Sequence, residues 1–248
     1  MTKQFASVWT KQPRQPKTSG LHREQIIAAA VEILDAEGLE SLSMRKLGAK
    51  LGAGATSLYW HVSNKEELLE LVLDQFWGVV QIPEPEQAAS WREVLTTFAY
   101  SLRASVREHP WSVSLVGQLP SIGPNSLRLS DRLRRAFVRA GFEGVDIYLA
   151  SGTVMCFVLG QVIPEIAWEK ASKGVETDID GILRVMDEVG SDYPEMLADY
   201  RATVPADQEA GRAMAFDFGL LCVLDGLQAR LRAMSESPGS PRTGVSGE

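Results

Sequence analysis

The stretch Ser43–Lys65, SMRKLGAKLGAGATSLYWHVSNK, constrains this chain more than any other. It reads as a short helix, a glycine-bearing turn and a second short helix, with a third helix starting at once behind it. Ser41 or Ser43 supplies an N-cap for the first helix, which is expected to run to Leu51 with Met44, Leu47 and Leu51 facing inward. Gly52 can take the left-handed conformation that ends a helix without a Cβ penalty, and Gly54 completes the turn. The second helix is expected over about Ala55–Val62. Its opening residues Ala55, Thr56 and Ser57 are small, so its backbone can come close to a phosphate, and Leu58 and Val62 point back to a core. At least two of Tyr59, Trp60 and His61 must then face outward. This is the build of a helix-turn-helix, whose second helix enters the DNA major groove.

The flanks fit that unit. His22–Glu37 carries Ile26, Ile27, Ala30, Val31 and Leu34 at helical spacing and stops at Gly38. Asn64 caps a fourth helix through about Val80, with Glu67 at the capping-box position. Lys65 in the first turn opposes the helix dipole, which suggests that it serves a DNA phosphate. Residues 1–65 hold nine basic and five acidic side chains, about +4, whereas the whole chain is −7, so the remainder is about −11. A basic end on an acidic body separates a phosphate-facing surface from a part with another task. Residues 1–20 contain Lys3, Lys11, Arg14 and Lys17 and no acid, and read as a flexible basic arm. Two uses are open for it: a solvated tail, or an arm in the minor groove carrying Arg14 and Lys17. Phe5, Val8 and Trp9 suit docking onto the protein itself. Deletion of residues 1–20 is expected to weaken DNA binding without unfolding the body.

Beyond a proline-bearing bend at Ile82–Ser90 the pattern is helical throughout. Amphipathic helices are expected at Trp91–Glu108 and Asn125–Ala140, the latter with Arg128, Arg132, Arg134, Arg135 and Arg139 outward. A short apolar helix is expected at Trp111–Leu119. Two long apolar helices follow, Val145–Lys170 and Asp207–Met234, the second with Met214, Phe218, Leu221, Leu224, Leu227 and Leu231 near one face. A partly helical, mobile excursion over about 175–200 separates them. The domains are therefore the arm 1–20, a DNA-binding domain 21–80, a helical body 84–234 and a disordered tail 235–248. The fold class is all-α: a three-helix helix-turn-helix domain plus a larger helical domain. Cys156 and Cys222 are expected as buried small side chains, with no disulfide or metal site. The apolar run Ile147–Ile166 falls short of a clean membrane span, so a cytoplasmic protein without membrane contact is expected. No catalytic constellation, phosphate-cradling loop or metal-spaced cluster is present, which argues against an enzyme and implies no cofactor.

The strings IIAAAVEILDAEGLESLSMRKL, AKLGAGATSLYWHV and SNKEELLELV together resemble the DNA-binding domain of the TetR family of bacterial repressors. The resemblance is to the branch of the tetracycline repressor and of antibiotic-export regulators, some with a basic N-terminal arm. It implies a homodimer through helices about 145–170 and 207–234, and a double-stranded operator contacted by Arg45, Ala55, Thr56, Ser57, Tyr59, Trp60, His61 and Lys65. Arg45 is the candidate for a bidentate guanine contact. Gly54 and Ala55 stand where the tetracycline repressor has a polar residue and a proline, so a different base preference is expected. The resemblance also implies a small-molecule effector in each body. Candidate contacts are Phe98, Leu102, Trp111, Leu115, Gln118, Phe137, Met155, Val158, Gln161 and Trp168, with plain core as the competing role of each. His109 is the only histidine of the body, which suits an aromatic organic metabolite or antibiotic better than a metal–tetracycline complex. The expected function is thus a ligand-released repressor of an exporter or resistance gene. A ligand-independent or activating transcription factor is the alternative, and a helical enzyme or small-molecule carrier the remote one.

Overall fold

The computed structural model describes residues 7–10, 21–172, 179–203 and 207–236. Among them there is no strand, only one isolated bridge between Val116 and Leu119. The head is α1 (Arg23–Glu37), α2 (Met44–Lys50), α3 (Ala55–Leu58) and α4 (Lys65–Val79). Ile26, Ala29, Ala30, Ile33 and Leu34 recur on α1 at three- and four-residue steps and are buried with Leu42, Leu47, Leu58, Val62, Leu68 and Val72. The cap on α2 is Ser43, whose Oγ accepts the Lys46 N–H at 3.2 Å. Asn64 caps α4 by accepting the Glu67 N–H at 2.8 Å. At the turn Gly52 has φ +61°. Ala53 N–H reaches the Gly48 carbonyl at 2.9 Å and Gly52 N–H the Ala49 carbonyl at 3.2 Å, the paired bonds that close a Schellman helix end.

The reading helix α3 is shorter than its sequence pattern suggests. It ends at Leu58, and Tyr59–His61 form a turn in which His61 N–H and Val62 N–H both donate to the Leu58 carbonyl, at 2.9 and 3.0 Å. That tightening drops Val62 into the core of the head.

The body is α5 (Trp91–Glu108), α6 (Pro124–Ala140), α7 (Val145–Ser172), α8 (Ile179–Val189), α9 (Pro194–Thr203) and α10 (Gln208–Glu236). α5 lies against α6, α7 and α10, and its Val94, Leu95, Phe98, Leu102 and Val106 are fully buried. The bend before α5 is fastened rather than loose. Arg132 donates to the Ile82 carbonyl at 3.0 Å and also pairs with Glu84, while Arg135 meets Glu84 at 2.8 Å and Glu86 at 2.6 Å. The Arg135 guanidinium, helped by Arg132, holds the Glu84 carboxyl below its ordinary range.

Four expectations are corrected. Residues 111–119 are not a helix: a single 3-10 turn, Pro110–Ser114, is followed by turns through Gly117 at φ +82°, a conformation a helix cannot contain. On α10 the residues expected near one face divide: Leu224 and Leu231 are buried with Phe216 and Leu220, whereas Met214, Phe218 and Leu221 face out. Cys156 and Cys222 are exposed, on the outward faces of α7 and α10. The apolar segment also forms a 28-residue helix, long and apolar enough by length and composition alone to cross a membrane. Its Ile147, Ala150, Val154, Val158 and Val162 are instead part of the body's core, and the opposite side exposes Val145, Tyr148, Leu149 and Ile163. For the last three the cause is that α7 and α10 carry apolar residues on more than one face, so periodicity alone does not say which stripe meets the chain's own core.

Candidate nucleic-acid interface

The outer edge of the head is built by α2 and the α3 turn. Lys46 is paired with Glu37 and Lys50 with Glu32 at 2.7 Å, so two basic side chains of α2 are turned toward α1. Arg45, on the other side of α2, is exposed and has no ion-pair partner among the described residues. Tyr59 and Trp60 are 44% and 62% exposed, which settles which two rings face outward; His61 and Ser57 are half-buried. Ala55 and Thr56 open α3. Lys65, half-buried, donates to the Leu39 carbonyl at 3.4 Å, an intramolecular partner that its sequence position did not announce. Arg14 and Lys17 lie outside the described residues, as does Phe5.

Behind this edge, α4 carries a row of carboxylates of which sequence reasoning named only Glu67, as a capping-box partner of Asn64; it accepts the Ser63 N–H instead. Glu67, Glu70 and Asp74 are 6%, 5% and 5% exposed, on a helix otherwise buried through Leu68, Leu71, Val72 and Phe76. Each accepts a backbone N–H from a different segment. Glu67 takes that of Ser63 at 3.0 Å, Glu70 that of Val8 at 3.0 Å, and Asp74 those of Asn125 and Ser126 at 3.1 and 3.0 Å. Asp74 thereby caps α6 from outside, because the N-cap residue Gly123 has no side chain of its own to do so. The readable signal was three acids at steps of three and four within EELLELVLD, one face of a helix too apolar to stand alone. A second link joins head to body: Asp35 of α1 lies 2.8 Å from His109 Nδ1 and accepts the Trp111 indole N–H at 2.6 Å.

The candidate effector residues do not share one setting. Phe98, Leu102, Trp111, Leu115, Phe137 and Val158 are core side chains of one continuous cluster, with Met155 against it. Gln161 is half-buried, and Gln118 and Trp168 are exposed. Two open clefts lie elsewhere, on either side of Trp91 where α5 begins. One of about 440 Å³ includes Ala89, Ala136 and Arg139, and one of about 380 Å³ includes Glu143, Gln228 and Arg232; none of the ten candidates lines either.

Comparison with known proteins matches residues 26–72 to the model of bacterial regulatory proteins of the tetR family. Residues 83–231 match the tetracyclin repressor-like C-terminal domain. An HTH-type transcriptional regulator of Saccharopolyspora erythraea is 36% identical over 90% of this chain and 92% of its own length. The HTH-type transcriptional repressor DrrR1 of Streptomyces coeruleorubidus is 30% identical over 87% and 80%. Among solved structures, the Streptomyces coelicolor TetR family protein ActR in complex with actinorhodin superposes with a TM-score of 0.72 at 27% identity, covering 86% of this chain and 99% of that one.

Proposed function

Since the chain belongs to the TetR family of bacterial transcriptional regulators, we propose that this ligand-responsive, DNA-binding repressor is a homodimer released from a palindromic operator by an organic effector. It is not an enzyme, and a regulator of DNA works in the cytoplasm.

The observation that carries the release step is the position of α4. It packs on α1 within the head and, through Asp74 and Gly78, on the start of α6 within the body. No hinge of loose chain intervenes, so a change in the body reaches the reading helix as a rigid displacement. In a dimer two reading helices sit about one DNA turn apart, ~34–36 Å, and a small rotation of each head spoils that spacing.

The dimer is favoured by the outward apolar faces of α7 and α10. Tyr148, Leu149, Met214, Phe218 and Leu221 are all more than half exposed in a single chain. Gly152, Gly160 and Gly226 have open space in front of them. A second copy of the same two faces covers these surfaces by two-fold symmetry. On DNA, Arg45 reads a base pair and Tyr59 and Trp60 pack on the sugar-phosphate backbone. Ala55, Thr56, Ser57, His61, Lys65, Arg14 and Lys17 complete the contact set. The effector enters among Phe98, Leu102, Trp111, Leu115, Phe137 and Val158, flanked by Gln118, Met155, Gln161 and Trp168. Because those six core side chains are packed against each other, entry must part them, and that supplies the force on α6 and α4.

The test begins with selection of duplexes from a random-sequence pool by the purified chain. The selected DNA should be palindromic, and its affinity should fall steeply with salt. Aromatic organic metabolites or antibiotics should then dissociate it, with actinorhodin, bound in the related ActR complex, as the first probe. Binding that is flat across salt, or no selected duplex at all, ends the proposal.

A further inference from the structure

Ser7–Thr10 fill the angle between α4 and the start of α6. The segment is a 3-10 turn closed on itself: Thr10 N–H and Thr10 Oγ1–H both donate to the Ser7 carbonyl, at 3.2 and 2.9 Å, and Trp9 N–H donates to Ser7 Oγ at 3.2 Å. Its bonds to the rest of the protein go to Glu70. The Ser7 hydroxyl and the Val8 N–H both donate to Glu70 Oε2, the latter at 3.0 Å, and Ser7 and Val8 are themselves buried.

The Trp9 indole lies against Gly123. A Cβ on Gly123 would fall 2.5 Å from Trp9 Cζ2 and 2.4 Å from Asp74 Cγ. Gly123 has φ −76°, a value open to any residue, so it is glycine for space and not for conformation. The Trp9 indole N–H is buried without a partner among the described residues, and the ring serves there as a filler of shape.

We propose that Ser7–Thr10 is a positioning element for DNA reading: a wedge that fixes α4 against α6 and so sets where the reading helix stands. The proposal rests on the reading above, in which α4 carries the body's state to the head. With the wedge seated, sliding α4 along α6 drives the indole into Asp74 or the Gly123 backbone. With it withdrawn, Glu70 loses both groups that hold it, and a gap opens beside the Asp74 cap. Ser7 and Val8 are buried and Ser7–Thr10 carries no charged side chain, so the effect of the wedge is separate from that of the basic side chains in residues 1–20.

The experiment titrates a selected palindromic duplex, across a range of salt, with the full chain and with Trp9→Ala, Trp9→Phe, Gly123→Ala and the Trp9→Ala/Gly123→Ala double variant. Trp9→Ala should weaken binding on the order of tenfold, the scale of ordinary coupling between sites. The slope of log affinity against log salt should not change, because no phosphate contact is lost. Trp9→Phe should recover most of the affinity. Gly123→Ala should weaken binding at least as much as Trp9→Ala, since the new methyl needs the place of the ring and also crowds Asp74, and the double variant should be no worse than Gly123→Ala alone. Unchanged affinity in Trp9→Ala overturns the proposal. A reduced salt slope overturns it in favour of direct phosphate contact. Additive losses overturn it as well, because they mark two unrelated lesions. If Gly123→Ala does not fold, Glu70→Gln replaces it in the same cycle. A wild-type chain that selects no duplex refutes the underlying DNA reading and the wedge together, an outcome distinct from an indifferent Trp9→Ala.

Discussion

Replacing Asp74 by alanine removes the one side chain among the described residues that caps α6. Its two oxygens accept from Asn125 N–H at 3.1 and 3.2 Å, from Ser126 N–H at 3.0 Å and from Asn125 Nδ2 at 3.0 Å. Loss of a helix cap costs about 1 kcal/mol and up to about 2. Leaving a buried donor unpaired costs about 1–3 kcal/mol, and Ser126 is buried while Asn125 is half-buried and open to water on one side. The two costs describe the same N–H groups, so the total is about 1–3 kcal/mol, which for a chain of this size lowers the melting midpoint by about 2–12 °C. Asp74→Asn keeps one acceptor and should lose about half as much. The assay is thermal unfolding followed by circular dichroism and by tryptophan fluorescence at one protein concentration, paired with titration of a selected duplex. DNA affinity should fall in both variants at temperatures where each is fully folded, because α4 has lost its fix on α6. An Asp74→Ala midpoint within about 1 °C of the parent refutes the cap. An Asp74→Ala protein with full DNA affinity refutes its part in setting the head.

Arg45→Ala should cost about 1–3 kcal/mol of DNA binding and relax preference at a single base pair, whereas Tyr59→Ala should weaken binding evenly across sequences; repeating the duplex selection separates the two. Phe218→Glu, placed on the outward face of α10, should yield a folded monomer by light scattering, and a dimer that survives it would locate the interface elsewhere. Acid should destabilise the body through Glu209. Its carboxyl is held below the usual 4.5 by the Arg107 guanidinium, at 2.6 Å. The folded state therefore binds its proton less readily than the unfolded chain. The contribution is present above pH 4.5 and is lost as pH falls through the lowered folded value. Glu209→Gln should flatten the acid limb of a pH–stability curve modestly, since the pair is half in solvent.

The head was legible because each of its devices is local. Ser43, Gly52 and Asn64 announce a cap, a left-handed stop and a second cap, and all three do those tasks. Trp91–Glu108 was legible because its apolar residues keep to one face, and α5 has those bounds. The sequence pattern carried Trp111 to Leu119 as a helix, yet Trp111 is tied to Asp35, seventy-six residues earlier, and Gly117 turns the chain. The outward placement of Cys156 and Cys222 was hidden for another reason: a helix apolar on every side reports burial but not by whom. The docking suggested by Val8 and Trp9 is present, but its place is fixed by Glu70 and Gly123, residues sixty and more positions away. That docking changes what deletion of residues 1–20 should do. Removing Ser7–Thr10 uncovers buried Glu70 and the Asp74 cap, so lost stability is expected along with lost DNA affinity.

The carboxylates of α4 bear on how such a protein switches. Apolar contacts along a helix hold it to its neighbours but tolerate small slides, because one methyl group replaces another at little loss. A carboxylate receiving a backbone N–H at 3.0 Å has no such tolerance, since the bond weakens steeply with distance and angle. Glu67, Glu70 and Asp74 therefore fix the register of α4 at three points while Leu68, Leu71 and Val72 supply its adhesion. Two of those points, Glu70 and Asp74, face the elements that meet the body. An effector that parts the core beneath α6 need not detach α4. It has only to make those two bonds geometrically unfavourable, and the helix can then find a second register at small net cost. A head moved by one such step keeps its own fold, because Glu67 and the Asn64 cap travel with it.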